Sequence, residues 1–185
     1  EIKWSGFNIS TTKSGTCGAS ATWELDFENG KLSITGSGDM ADYTSSSLAP
    51  WVADTAYVRS ISIAKTITKI GNYAFYKHAR CTSVSFVSTS TVSAIGDYAF
   101  YGCTGLTSIS LPTSLLTIGA NAFQSCTGLT SISLPSKVTS VGNYAYSVCS
   151  NATSLSLGSN SNASITIGDY AFQNCSKVTS ITIPT

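Results

Sequence analysis

Charge is scarce in this chain. Asp, Glu, Lys and Arg make up 10% of its 185 residues, against roughly 25% in ordinary globular proteins. So thin a field excludes capture of nucleic acid, or of an acidic membrane, by long-range attraction. Histidine occurs once and methionine once. With a single His and no C-x-x-C pair there is no zinc-ligand set to assemble, and no metal or cofactor is expected. No run of about 18 apolar residues occurs, so direct membrane insertion is not expected. The chain starts at Glu1 rather than Met, which fits a processed secreted protein or a trimmed piece of a longer one.

Ser and Thr fill the gap, with 33 Ser and 24 Thr among the 185 residues. The surface they predict is polar and nearly uncharged. What charge exists is unevenly placed. Residues 1–57 hold seven acids and three bases, a net −4, and residues 58–185 hold two acids and seven bases, a net +5. That scatter is a solvated surface of two different parts, too diffuse to name a partner.

The ten residues CTGLTSISLP stand at 103–112 and again at 126–135. Aligned on an Ile-Gly step, the chain repeats at Ile70-Gly71, Ile95-Gly96, Ile118-Gly119, Val141-Gly142 and Ile167-Gly168, at spacings of 25, 23, 23 and 26. Five units occupy 58–177, and a sixth begins at Val178. In the first half of each unit apolar and polar residues alternate, the mark of a short strand. Leu106, Ile109 and Leu111 face inward, Ser108 and Ser110 outward. The second half turns at the glycine and reads as a short helical turn, with Asn72, Asp97, Asn143 and Asp169 placed to cap its free N–H groups. One such unit cannot bury its apolar side, but stacked copies cover one another. The fold class is therefore mostly β with short helical turns, a solenoid with a parallel strand ladder. A position in a stack meets the same neighbours in every turn, which accounts for the verbatim repetition.

Residues 1–57 read as a cap on residues 58–185. Ala21, Trp23, Leu25 and Phe27 alternate with polar residues, Asn29-Gly30 supplies the positive φ angles of a tight hairpin, and Leu32 and Ile34 continue on the return strand. With Trp51 and Tyr57, this hairpin makes a lid for the first turn.

The segments LTSISLPTSLLTIGANAFQSC (106–126), IGDYAFYGCTGL (95–106) and IGDYAFQNCSKV (167–178) resemble leucine-rich repeats of the BspA-like type, over about 58–185. The stretch holding SGTCG (14–18) and APW (49–51) looks like the segment that often precedes such repeats. The resemblance implies a leucine-rich repeat solenoid that is extracellular or on a cell surface, where it binds or adheres to a partner. It implies no shared active site.

Several residue sets invite sharper readings. Cys103, Cys126, Cys149 and Cys175 share one repeat position and read as a buried column of free thiols, although neighbouring turns lie close enough for pairing. Cys81 stands in for the core residue held elsewhere by Leu106 and Leu129, and Cys17 has no repeat partner. His78 takes the cysteine place in the first unit and reads as an edge residue of the first turn. No acid or nucleophile accompanies it in the alignment, so no catalytic residue is expected. Four N-x-Ser/Thr sequons, at Asn8, Asn151, Asn162 and Asn174, are mostly what a composition this rich in Ser and Thr supplies by chance. Tyr73, Tyr98, Tyr144 and Tyr170 form a row that either packs between turns or meets a partner.

The outward strand positions are the candidate binding residues: Ser83, Ser85, Ser108, Ser110, Ser131, Ser133, Ser154, Ser156, Ser180 and Thr182, continuing a row begun by Ser60 and Ser62. Three readings of this face stand: a bland solvated surface, a polar lattice for a repetitive target, or a surface kept free of adhesive groups. The expected partner is a protein or glycan bound there. A second reading is structural. Val178, Ile181 and Ile183 would face a core with nothing over it, and an open strand edge templates pairing. Docked on another copy's hairpin, such an end gives head-to-tail fibres.

Overall fold

The computed structural model describes residues 11–158 and 164–183. It is built from strands and turns, with a single short 3-10 turn at Val52–Asp54. Three strands form the N-terminal part: β1 (Thr12–Thr16), β2 (Ser20–Asp26) and β3 (Lys31–Asp39). The solenoid follows as β4 (Ser60–Ile63), β5 (Ile67–Ile70), β6 (Ser83–Phe86), β7 (Ala94–Ile95), β8 (Thr117–Ile118), β9 (Ser131–Ser133), β10 (Ser140–Val141), β11 (Ser154–Ser156), β12 (Thr166–Ile167) and β13 (Ser180–Thr182).

Most turns of the solenoid carry two strands where the sequence pattern shows one, and the turn at 106–128 carries only β8. The first kind, the alternating stretch, pairs in parallel as β4–β6 and as β9–β11–β13. The second kind is the step into Ile-Gly, and it pairs as β5–β7–β8–β10–β12. Those strands are mostly two residues long, too short to show a period.

The third side of each turn is not helical, which corrects the expectation. Two residues per turn adopt left-handed backbone: Tyr73 and Lys77, Tyr98 and Gly102, Asn121 and Ser125, Tyr144 and Val148, Tyr170 and Asn174. A right-handed helix cannot run through such positions. The backbone bonds instead to the next turn, as in Phe75 N–H to Ala99 O at 2.7 Å and Phe100 N–H to Ala122 O at 2.8 Å.

The Asn and Asp residues after glycine serve the same inter-turn contact rather than capping their own turn. Asp42 accepts from Asn72 N–H, Asn72 from Asp97 N–H, Asp97 from Ala120 N–H and Asn143 from Asp169 N–H, all at 2.7–2.9 Å. The chain of contacts breaks at Ala120, which has no oxygen to offer Asn143.

The core is a set of columns. One is an aromatic stack from Trp51 through Phe75, Phe100, Phe123 and Tyr146 to Phe172, with centroids 4.9–5.8 Å apart. That spacing is close to the ~4.8 Å between paired strands. Beside it run buried Ile70, Ile95, Ile118 and Val141.

The hairpin is continuous with the solenoid. β3 pairs with β4 through Lys31–Ile34 and with β5 through Gly38 and Asp39, so one strand turns a corner and feeds both ladders. Gly36 and Gly38 make that corner at φ +82° and +79°. A Cβ at Gly36 would lie 2.0 Å from the Ser20 carbonyl oxygen, so only glycine fits. The β2–β3 connection is a four-residue turn, 27–30, rather than a two-residue one. Only Gly30 in it takes positive φ, and Asp26 accepts from the Glu28 and Asn29 N–H groups. Trp23 and Trp51 meet edge to face at 5.5 Å, and Trp51 closes the aromatic stack. Tyr57 sits outside this lid, 54% exposed against Phe27.

Candidate functional site

Alternation along each strand sends one residue in and the next out. Ser83, Ser85, Ser108, Ser110, Ser131, Ser133, Ser180 and Thr182 are exposed, and Ser154 and Ser156 are half-buried. Ser33, Ser62 and Ser85 lie in one cross-strand line that carries the face onto the hairpin.

Two kinds of hydroxyl run along this face. The Thr row is committed to the ladder: Thr82, Thr130, Thr153 and Thr179 donate to the carbonyls of Arg59, Thr107, Thr130 and Thr153, at 3.2–3.4 Å. The Ser row is largely free. Ser62 reaches Ser33 and Ser85 reaches the Ile61 carbonyl. Among the described residues, the hydroxyls of Ser83, Ser108, Ser110, Ser131, Ser133, Ser154, Ser156 and Ser180 meet no protein partner. Sequence alone does not show which row is committed, because neighbours such as Thr107 and Ser108 are both polar hydroxyls on the outside.

The six cysteines are free thiols, five buried and Cys175 half-buried. Cys103, Cys126, Cys149 and Cys175 donate to the carbonyls of Phe75, Phe100, Phe123 and Tyr146, at 3.1–3.3 Å. Each thiol thus hydrogen-bonds to the turn before it. Burial raises the Cys126 thiol, and the Cys175 contact together with burial raises Cys149. Cys175 ionises first of that pair, because the Cys149 thiol lies against it. Burial also pushes Cys81 up to about 12 and Cys17 up to about 11.

His78 lies in the first turn and is closed off from solvent. It is 1% exposed, edge to face on Phe75, with Nδ1 3.3 Å from the Tyr76 carbonyl and Nε2 unpartnered. Desolvation pushes its pKa down to about 4. Tyr73 and Tyr98 stack at 4.7 Å, as do Tyr144 and Tyr170 at 5.1 Å, and Asn121 interrupts the row. Of the sequons, Asn151 and Asn174 are exposed, while Asn8 and Asn162 lie outside the described residues.

At the far end, Val178 is half-buried, Ile181 is 60% exposed and Ile183 is 71% exposed. An apolar cavity of about 250 Å³ opens there between Leu155, Phe172, Cys175 and Ile181. A larger hollow of about 850 Å³ lies against the hairpin, beside Cys17, Asp39 and Tyr43. No group of His, Cys, Asp or Glu among the described residues is placed to hold a metal ion.

The family described as "BspA type Leucine rich repeat region" matches residues 68–185, in six copies. The chain belongs to this family. Among solved structures, this BspA-type chain is similar to the T. pallidum leucine-rich repeat protein, at TM-score 0.67 and 19% identity, over 92% of this chain and 83% of that one. A leucine-rich repeat protein from Eubacterium ventriosum aligns at TM-score 0.53 and 18% identity, over 92% and 72%. A leucine-rich cell surface protein from Faecalibacterium prausnitzii aligns at 0.52 and 21%, over 91% and 54%. These likenesses establish the fold. No protein of curated function matches the chain.

Proposed function

We propose that this BspA-type chain is a non-enzymatic binding protein, secreted or held at a cell surface, which adheres to a protein or glycan partner through its strand face. The observation that carries this is the split between the two hydroxyl rows. Most of the Thr hydroxyls donate into the ladder, while most of the Ser hydroxyls meet no partner among the described residues. A hydroxyl both donates and accepts, so the row offers uncommitted bonding capacity without charge. One structural neighbour is itself a leucine-rich cell surface protein, which supports the location. The burial of His78 supports the absence of catalysis, since a base must reach its substrate.

The test is adhesion of the purified chain to immobilised matrix proteins and glycans. Ser131→Arg with Ser154→Arg crowds the strand face, and Gln124→Arg with Gln173→Arg adds the same charge to the turn side. At least a tenfold loss confined to the first pair is expected. Equal behaviour of the two pairs overturns the reading.

A second reading rests on the open end. Among the described residues β12 and β13 are the last strands of their ladders, and Ile181 and Ile183 are exposed beyond Val178. Docking of that end on another copy's hairpin builds a fibre, and the acidic N-terminal and basic C-terminal parts favour that order.

A further inference from the structure

The strand face has one interruption. Segment 108–111, the strand half of the first CTGLTSISLP copy, joins neither β6 nor β9. Among the described residues, no backbone N–H or C=O of Ser108, Ile109, Ser110 or Leu111 meets a partner. The identical residues Ser131–Ser133 pair with β11. The break coincides with a step in length: Cys81 to Ile95 spans 14 positions and Leu106 to Ile118 spans 12. Main-chain polar groups require partners, and here four residues in succession leave theirs open beside half-buried Ile109 and Leu111.

The break opens a cleft of about 390 Å³ between segment 108–111 and the edge formed by Ser131, Ser133 and Pro135. An inserted strand cannot be its occupant. The same turns are held one strand apart on the other ladder by β7–β8–β10. They are also held by the Phe100–Phe123 and Phe123–Tyr146 stacks, at 5.1 and 4.9 Å. The occupant must come from the solvent side. No charged residue lines the cleft, so an ionic ligand gains nothing there. Its floor is apolar and its rim is hydroxyl, and its volume is in the range of small-ligand sites.

We propose that this cleft is a subsite for an uncharged saccharide. The apolar face of a sugar ring lies on Ile109, Leu111 and Pro135, and its hydroxyls exchange hydrogen bonds with Ser110, Ser131, Ser133 and the open main chain. The proposal rests on the reading of the strand face as the binding face and names the ligand class for one point on it.

The experiment titrates the 15N-labelled chain with cellohexaose, maltohexaose and chitohexaose. A heparin hexasaccharide and a Ser/Thr-rich peptide serve as controls. The expected result is that at least one neutral sugar moves the amide signals of 108–111 and 131–133 before those of 154–156. Ser110→Ala with Ser133→Ala should weaken that binding roughly tenfold, the worth of one or two hydrogen bonds. Gln124→Ala with Gln173→Ala, on the turn side away from the strand face, should change it less than twofold. Silence at 108–111 with all three sugars overturns the proposal. So does equal loss in the two pairs, or movement of the same amides by heparin or the peptide. If adhesion still falls in the Ser131→Arg, Ser154→Arg variant while the sugars leave 108–111 unmoved, the face stands and the saccharide subsite falls.

Discussion

His78 occupies the slot that later turns give to a thiol, and its burial has a pH consequence. Its pKa lies at about 4 in the folded chain, against 6.5 for the free side chain. As pH falls below 6.5 the unfolded chain takes up the proton first, so stability is full above that value and drains away towards pH 4. At 1.36 kcal/mol per pKa unit the loss amounts to about 3 kcal/mol. Urea unfolding at pH 7 and pH 4 should show this excess loss, and His78→Cys, the residue of the later turns, should remove most of it. The thiols belong to the same scale. Cys103, Cys126 and Cys149 should resist a thiol reagent in the folded chain, while Cys175, beside the open cavity, should react first. Peptide mapping after brief labelling reads the order, and uniform labelling would mean that the column breathes as one.

The repeating element draws its rigidity from columns that cross from turn to turn. Phe123 is fully buried between two rings. Phe123→Ala should cost roughly 3–5 kcal/mol, the usual loss for a large core aromatic. Ser110→Ala should stay within about 0.5 kcal/mol. Chemical denaturation of both variants checks that the inward and outward faces are correctly assigned. The Asn/Asp ladder makes the opposite kind of prediction. At Ala120 it is broken, and Asn143 N–H has no side-chain acceptor. Ala120→Asn should restore the contact and add about 1 kcal/mol, the net worth of one hydrogen bond. A rise in the denaturation midpoint at unchanged slope would show it.

The two ends differ at the scale of the whole molecule. The N-terminal end is closed by the hairpin and by Trp51, which donates from its indole N–H to the Ala74 carbonyl at 2.9 Å. The C-terminal end shows Phe172 half-buried and Tyr170 58% exposed. Sedimentation over a wide concentration range weighs the fibre reading. Assembly through the open end should raise the weight-average mass with concentration, weaken in salt and vanish in Ile181→Asp. A mass that stays monomeric at high concentration and low salt removes the fibre and leaves adhesion alone.

The repeat, the inward and outward strand positions, the aromatic and thiol columns and the family are all legible in the sequence, because each turn meets the same neighbours and so spells the same residues. Ser108, Ile109 and Ser110 declare their faces by alternation alone. The second ladder is not legible, since two-residue strands such as Ala94–Ile95 have no period to read. Nor is the role of Asp97, because a cap on its own turn and a contact to the next turn ask for the same side chain. Gly36 and Gly38 announce a bend but not that one strand feeds both ladders. The sharpest case is CTGLTSISLP. Its second copy holds a paired strand at 131–133 and its first does not at 108–110, with every letter the same. Strand pairing belongs to the neighbours as much as to the segment. Only the stacked structure fixes whether a backbone of given sequence finds its partners at one strand spacing.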